Sequence, residues 1–310
     1  MPPDITLRQL TYFSTLVAAG QYRRAARSLG ISQPSLSLQI AALEKAVGAR
    51  LLERRRSGLI LTPEGRDVSE MVARILREVE ALTLYASPMR DNMTGTLRLG
   101  STPTIGPYLL PRVLRQLHRQ YPRLKLAIRD GAPRDLVEDL AAGRYDLILT
   151  QLPVGRDDIR VAPLFREPLE LAVDPAHRLA GVPQVRQADL AGETMLGLSP
   201  GYALHGQVQG LCETAGARLS TEFEGTSLDA LRQMVSLGMG ITLLPALYVA
   251  SEVRATGADV TTRPLRPAMH RTVGLAWRTA TGTPPAIDRF IQLTRQVIHD
   301  EMSGILQPVR

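Results

Sequence analysis

Apolar residues recur three and four positions apart from the start of the chain. Leu7, Leu10, Phe13, Leu16 and Val17 form one stripe, which predicts a helix capped by Asp4 or Thr6 and ended near Gly20. Two shorter amphipathic segments follow in YRRAARSLGISQPSLSLQIAAL, residues 22–43. Ala25, Ala26 and Leu29 mark the first, and Leu36, Ile40 and Leu43 the second. Gly30 lies where the first must stop. Ser32 is placed to cap the second, and Pro34 falls in its first turn, where a missing N–H costs nothing. This spacing predicts a helix-turn-helix, whose second helix enters the major groove of DNA. An ordinary α-hairpin with a glycine turn has the same outline.

Arg54, Arg55 and Arg56 then precede Ser57-Gly58, with Leu59, Ile60 and Leu61 beyond. This reads as a two-stranded wing with a tight turn. Its arginines are either phosphate contacts or a solvated turn. Thr62-Pro63-Glu64-Gly65 starts a helix, and residues 65–87 carry the stripe Val68, Met71, Val72, Ile75, Leu76, Val79, Leu82 and Leu84. So long a helix either pairs with a second copy or packs into the next domain. Pro88 and Arg90-Asp91-Asn92 read as a hinge.

From residue 94 the pattern alternates. Strands are predicted at 94–100, 124–128 and 147–150, with helices at 108–121 and 136–142, an α/β order with parallel strands. A second set runs from 164–173 through 194–198, 204–215, 219–223, 228–237 and 241–245. A strand at 272–277 and a helix at 286–299 close the chain. Two such sets predict two lobes with a cleft between them.

Charge sharpens the first part. The chain of 310 residues carries a formal +7. Residues 1–90 hold 13 Arg or Lys against 8 Asp or Glu, and the remaining 220 hold 24 against 22. The basic excess therefore lies with the helix-turn-helix, which suits phosphate neutralisation. A single cysteine, Cys212, excludes an intrachain disulfide and a cysteine metal cluster. His118, His177, His205, His270 and His299 show no metal-ligand spacing. HExxH, GxSxG and P-loop motifs are missing, so neither an enzyme nor a cofactor is expected. With no apolar leader and no run of 18 apolar residues, the expectation is a cytoplasmic protein without a membrane partner.

The segments LRQLTYF and AARSLGISQPSLSLQIAALEKAVGARLLERRRSGLILTPEGR resemble the LysR-type transcriptional regulators. The resemblance implies an N-terminal all-α winged helix-turn-helix at 1–64, a dimerisation helix at 65–90 and a hinge at 91–94. It implies an α/β effector-binding domain at 95–310, two-lobed like periplasmic binding proteins. Lobe I would take about 95–166 and 268–300, and lobe II about 167–267. Implied DNA-binding residues are Arg23, Ser32, Gln33, Pro34, Ser35, Ser37, Gln39, Arg54, Arg55 and Arg56. Leu38 departs from the family, which usually has arginine there. Dimers and tetramers on an interrupted palindrome of double-stranded DNA are also implied.

In the cleft, the resemblance places a small-molecule effector among Ser101, Thr102, Thr104, Thr150, Ser199, Tyr202, Ala203, Thr226, Ser227 and Arg271. Several of these hydroxyls are equally read as helix caps. Arg271 and the hydroxyls favour a small anion such as a carboxylate. PTIGPYLLP, GYALHGQVQGLCETAGA, TSLDALRQMVSLGMGITLLPALYV and HRTVGLAWR resemble the peroxide-sensing, OxyR-like branch. Matched residue by residue, the peroxide-reactive cysteine falls at Ala203 and its disulfide partner at Cys212. The neighbouring histidine becomes Tyr202, the assisting aspartate Gly206, and one of two threonines Pro133, while Thr104 and Arg271 remain. Alanine cannot form a thiolate, so an effector other than peroxide is expected. The alternative is a redox or peroxide response using Cys212 alone; Cys212 also reads as a buried structural residue.

Overall fold

The computed structural model describes residues 5–55, 58–85, 95–222, 225–255, 257 and 259–309. The chain divides into two units, Met1–Ala86 and Ser87–Arg310. The first contains α1 (Leu7–Ala19), α2 (Tyr22–Leu29), α3 (Gln33–Val47), β1 (Leu52–Arg55), β2 (Gly58–Leu61) and α4 (Pro63–Tyr85). Thr6 caps α1: its hydroxyl accepts from Gln9 N at 3.2 Å, and the Gln9 side chain accepts from Thr6 N at 2.9 Å. Asp4 lies outside the described residues. Gly30 ends α2 at φ 66°, a left-handed conformation that glycine adopts without a Cβ penalty. Ser32 accepts from Ser35 N at 3.2 Å and caps α3.

Phe13, Leu16, Ala25, Leu36, Ile40, Leu43 and Leu51 form one buried core. Two polar side chains tie the wing to it. Glu44 accepts from Leu51 N (2.7 Å) and Leu52 N (3.2 Å), and Thr62 donates to the Arg50 carbonyl at 2.7 Å. Gly65 lies so close to the Leu51 carbonyl oxygen that an added Cβ would stand 2.0 Å from it. Val72 of α4 is buried in this core, with Val68 and Leu76 packed against it. The α4 stripe is thus partly used within its own unit, which the length of the helix had not indicated. Met71 and Ile75 stay exposed.

The second unit begins with β3 (Gly95–Ser101), α5 (Gly106–Gln120), β4 (Leu124–Asp130), α6 (Pro133–Ala141), β5 (Leu147–Leu152) and β6 (Ile159–Val173). It continues with β7 (Val185–Arg186), β8 (Thr194–Met195), α7 (Ala203–Ala215), β9 (Arg218–Leu219), α8 (Leu228–Ser236), β10 (Thr242–Pro245) and α9 (Ala246–Tyr248). β11 (Thr261–Arg278), α10 (Pro285–Met302) and β12 (Gln307–Pro308) complete it. The main sheet runs β10-β6-β11-β5-β3-β4. β4, β3 and β5 are parallel as the pattern predicts, but β11 pairs antiparallel with both β5 and β6, so the sheet is mixed.

β6 and β11 are much longer than their apolar runs at 164–173 and 272–277 imply, because each passes through two cores. One core gathers Leu97, Leu99, Leu149, Phe165, Leu275 and Phe290. The other gathers Leu171, Val173, Leu196, Leu211, Leu231 and Leu265. The register of the pair breaks between Pro264 and Met269 and between Val273 and Gly274, on either side of the passage from one core to the other.

Candidate functional site

In the first unit the residues of interest lie along α3. Its inner side is set by Leu36, Ile40 and Leu43. Ser32, Gln33, Pro34 and Ser35 are exposed at its start, and Arg23 is exposed on α2. Ser37 and Gln39 are half-buried, and Ser37 lines a groove between α3 and the wing with Tyr22, Glu44, Arg50 and Leu59. Leu38 is 71% exposed. Arg54 and Arg55 lie on β1, and Arg56 lies outside the described residues.

In the second unit a cavity of about 670 Å³ opens where β5 ends and where α6 and α7 begin. Its wall is built from the first two turns of the helices, Pro133, Arg134, Val137 and Glu138 on α6, and Tyr202, Ala203, His205, Gly206 and Gln209 at α7. Thr150, Gln151 and the segment Pro153–Arg156 come from the end of β5. Neither helix has a side-chain cap, and the first turn of α7 has no acidic residue. Both bring the positive end of a helix dipole to the cavity, offset at α6 by Asp135 in its first turn, and at α7 the His205 amide already donates to the Tyr202 carbonyl. Arg134 and Arg156 pair with Glu138 (3.3 Å) and Asp158 (2.8 Å), but these ion pairs are exposed and weak.

Of the ten expected effector residues, the structure brings Thr150, Tyr202 and Ala203 together on this wall. The other seven lie off it, and the side chains of Ser101, Thr102, Thr104, Thr226, Ser227 and Arg271 hydrogen-bond within the fold. Ser101, Thr102 and Thr104 are buried at the carboxyl end of β3 and in the turn that follows it. Thr104 accepts from Arg271 Nη1 at 3.1 Å, and its carbonyl accepts from Nη2 at 2.8 Å. Arg271 also donates from Nε to Glu167 at 2.7 Å, and Glu167 accepts from Leu247 N at 2.8 Å. Arg271 is thus a fully engaged cation at the passage between the two cores rather than a group facing the cavity. Ser227 caps α8 by accepting from Ala230 N at 3.3 Å, and the Ser199 amide donates to the Gly225 carbonyl. Thr226 hydrogen-bonds Tyr202. Burial pushes the Tyr202 phenol above its ordinary pKa, opposed by that bond and reinforced by Asp130 and Asp135, so the phenol is neutral.

Sequence reading missed Arg134, Gln151, Arg156, His205 and Gln209. The rule that ligands bind beyond the carboxyl ends of strands points to them, since Arg134 follows β4, Gln151 and Arg156 lie at and just after the end of β5, and His205 and Gln209 follow β8. It also missed Gln207, which joins the two sides of the cleft. Gln151 Nε2 donates to Gln207 Oε1 at 3.0 Å, and Gln207 Nε2 donates to the His270 carbonyl at 2.9 Å.

Cys212 is 5% exposed and borders a second cavity, of about 470 Å³, which shares Pro200, His205 and Gln209 with the first. Burial pushes its thiol above the ordinary pKa, with Glu213 adding and a backbone hydrogen bond opposing. Positions 203 and 212 lie on one unbroken helix. Nine residues separate them by roughly 13 Å along the axis and half a turn around it. A disulfide needs Cα atoms within about 7 Å, so these positions join only if α7 unwinds. Among the described residues no cluster of three potential metal ligands occurs, and no helix is long and apolar enough to cross a membrane.

Comparison with known proteins accounts for both units. The model of the bacterial regulatory helix-turn-helix protein, lysR family, matches residues 7–66, and that of the LysR substrate binding domain matches residues 90–298. The DNA-binding transcriptional dual regulator OxyR of Escherichia coli K12 is 38% identical, over 97% of this chain and 97% of that protein. A full-length OxyR variant from Pseudomonas aeruginosa superposes with a TM-score of 0.73 at 31% identity, covering 94% of this chain and 95% of that one. A hydrogen-peroxide-bound OxyR mutant from Corynebacterium glutamicum gives 0.67 at 27% identity, covering 98% and 95%. The winged helix-turn-helix, the two-lobed α/β unit and these likenesses together place the chain in the LysR family of transcriptional regulators, in its OxyR branch, with one cysteine where that branch is built around two.

Proposed function

We propose that this DNA-binding, effector-responsive regulator answers a small anion held in its cleft, and that it does not answer hydrogen peroxide. The observation that carries the reading is the cavity of about 670 Å³ at which two uncapped helix N-termini and two arginines converge. Its volume suits a small ligand, and free N–H groups at helix starts suit a carboxylate or phosphate. A peroxide response needs a thiolate on the same wall. Ala203 supplies none, and the Cys212 thiol is buried with its pKa raised. The redox alternative is therefore the weaker one. Self-association belongs to the same reading. The exposed Met71 and Ile75 edge of α4 is the surface proposed to meet a second copy, which matches the two-fold symmetry of a palindromic site.

The test is a thermal-shift panel of small mono- and dicarboxylates, phosphate esters and neutral isosteres on the full-length protein. An anion at a hundred times its Kd stabilises by about 2.7 kcal/mol. An Ala203→Trp variant, which fills the wall, loses this shift and keeps its DNA affinity in the absence of ligand. Stabilisation by neutral compounds only, or an equal shift in Ala203→Trp, overturns the proposal.

A further inference from the structure

The outward face of α3 poses a chemical question that its family does not answer. Taking 100° per residue, Pro34, Ser35, Leu38, Ala41 and Ala42 share the side opposite Leu36, Ile40 and Leu43. Leu38 stands at the centre of that side, 71% exposed. So exposed a side chain adds little to the core, and a polar residue there would cost the fold nothing. No arginine or lysine occurs from Gln33 to Glu44; the first cation of the helix is Lys45 in its last turn. Cations instead flank the helix, with Arg23, Arg24 and Arg27 exposed on α2. The helix therefore offers an apolar centre with amides and hydroxyls around it, between charges suited to phosphates.

Guanine is read chiefly by arginine or lysine, adenine by glutamine or asparagine, and thymine through contact of its methyl group with an apolar side chain. We infer that Leu38 is a specificity-determining residue that packs on a thymine 5-methyl group, so that α3 selects A·T pairs at the centre of each half-site. Gln33 and Gln39 supply chemistry for adenine on the same helix, and Ala41 and Ala42 leave room for the methyl group to approach. The inference rests on α3 being the helix that enters the major groove.

The experiment selects duplexes from a random pool with the full-length protein, then replaces each thymine of the selected site by deoxyuridine, which removes only the methyl group. At one thymine per half-site, affinity falls about fourfold, the effect of one buried methyl-sized group. In Leu38→Ala, binding to the thymine site falls by a similar factor and the deoxyuridine substitution no longer matters. In Leu38→Arg, selection moves towards guanine at that position. If every deoxyuridine substitution leaves affinity unchanged, or if Leu38→Ala keeps the full methyl dependence, the assignment to Leu38 is overturned while sequence-specific binding stands. A pool that yields no preferred sequence overturns the reading of α3 itself. Circular dichroism confirms that the variants fold, as the exposure of Leu38 requires.

Discussion

Replacing Arg271 by leucine is the most informative single perturbation of the effector unit. The Arg271 and Glu167 side chains are 1% and 0% exposed and meet at 2.7 Å. They are direct partners across the β6–β11 ladder, at the passage between the two cores. Arg271→Leu removes three hydrogen bonds, one to Glu167 and two to Thr104. It leaves Glu167 buried with a single partner, the Leu247 amide. Breaking one side of a buried pair costs about 3–5 kcal/mol, because the remaining charge loses its counter-ion without regaining water. For a unit of this size that is a fall in Tm of roughly 6–20 °C. The double variant Arg271→Leu/Glu167→Leu removes both charges, and recovers most of the loss because the desolvation penalty disappears with the pair. Differential scanning calorimetry on the full chain and on both variants measures this, read on the transition of the second unit. An Arg271→Leu transition within about 2 °C of the parent, or a double variant less stable than the single, refutes the argument that Arg271 serves Glu167.

Three other outcomes are expected. Stoichiometric peroxide leaves the DNase footprint unchanged, and Cys212 alkylates slowly at neutral pH, its rate rising only above the ordinary thiol range because burial favours the protonated form. Oxidation of Cys212 with an altered footprint counts against this. Reversing the charges of Arg54, Arg55 and Arg56 weakens binding to all DNA sequences alike and reduces the slope of log K against log salt by about one for each lost phosphate contact. A loss confined to particular sequences, with the salt slope unchanged, excludes a phosphate role for the wing.

The local signals of the first unit were fully legible in the chain. Gly30, Ser32, Pro34 and the 3–4 spacing of Leu36, Ile40 and Leu43 act within a few residues, so the sequence carries them directly. The long strands were not. Residues 261–271 mix prolines, arginines and exposed positions, and they hold strand conformation because β6, with β7 at Leu265 and Arg266, supplies partners about 80 to 104 residues earlier. Pairing of that kind is tertiary and leaves no period to read. The cleft was half legible for a related reason. Thr150, Tyr202 and Ala203 sit where chain order and helix starts point. Arg271 is a cation of the same chemical type as a ligand-binding arginine, and only the position of Glu167 shows that its charge is already satisfied.

Helix α7 borders two neighbouring hollows. His205 and Gln209 line both of them, Ala203 lines the cleft, and Cys212 lines the other. The protein consequently carries its own chemical reporter. Because Cys212 is the only thiol in the chain, its rate of modification measures how tightly α7 is seated, with no engineered label and no knowledge of the target genes. A compound that settles at the helix start and steadies the helix slows that rate; one that loosens it speeds it. The single thiol thus becomes a means of screening for the effector to which this regulator responds.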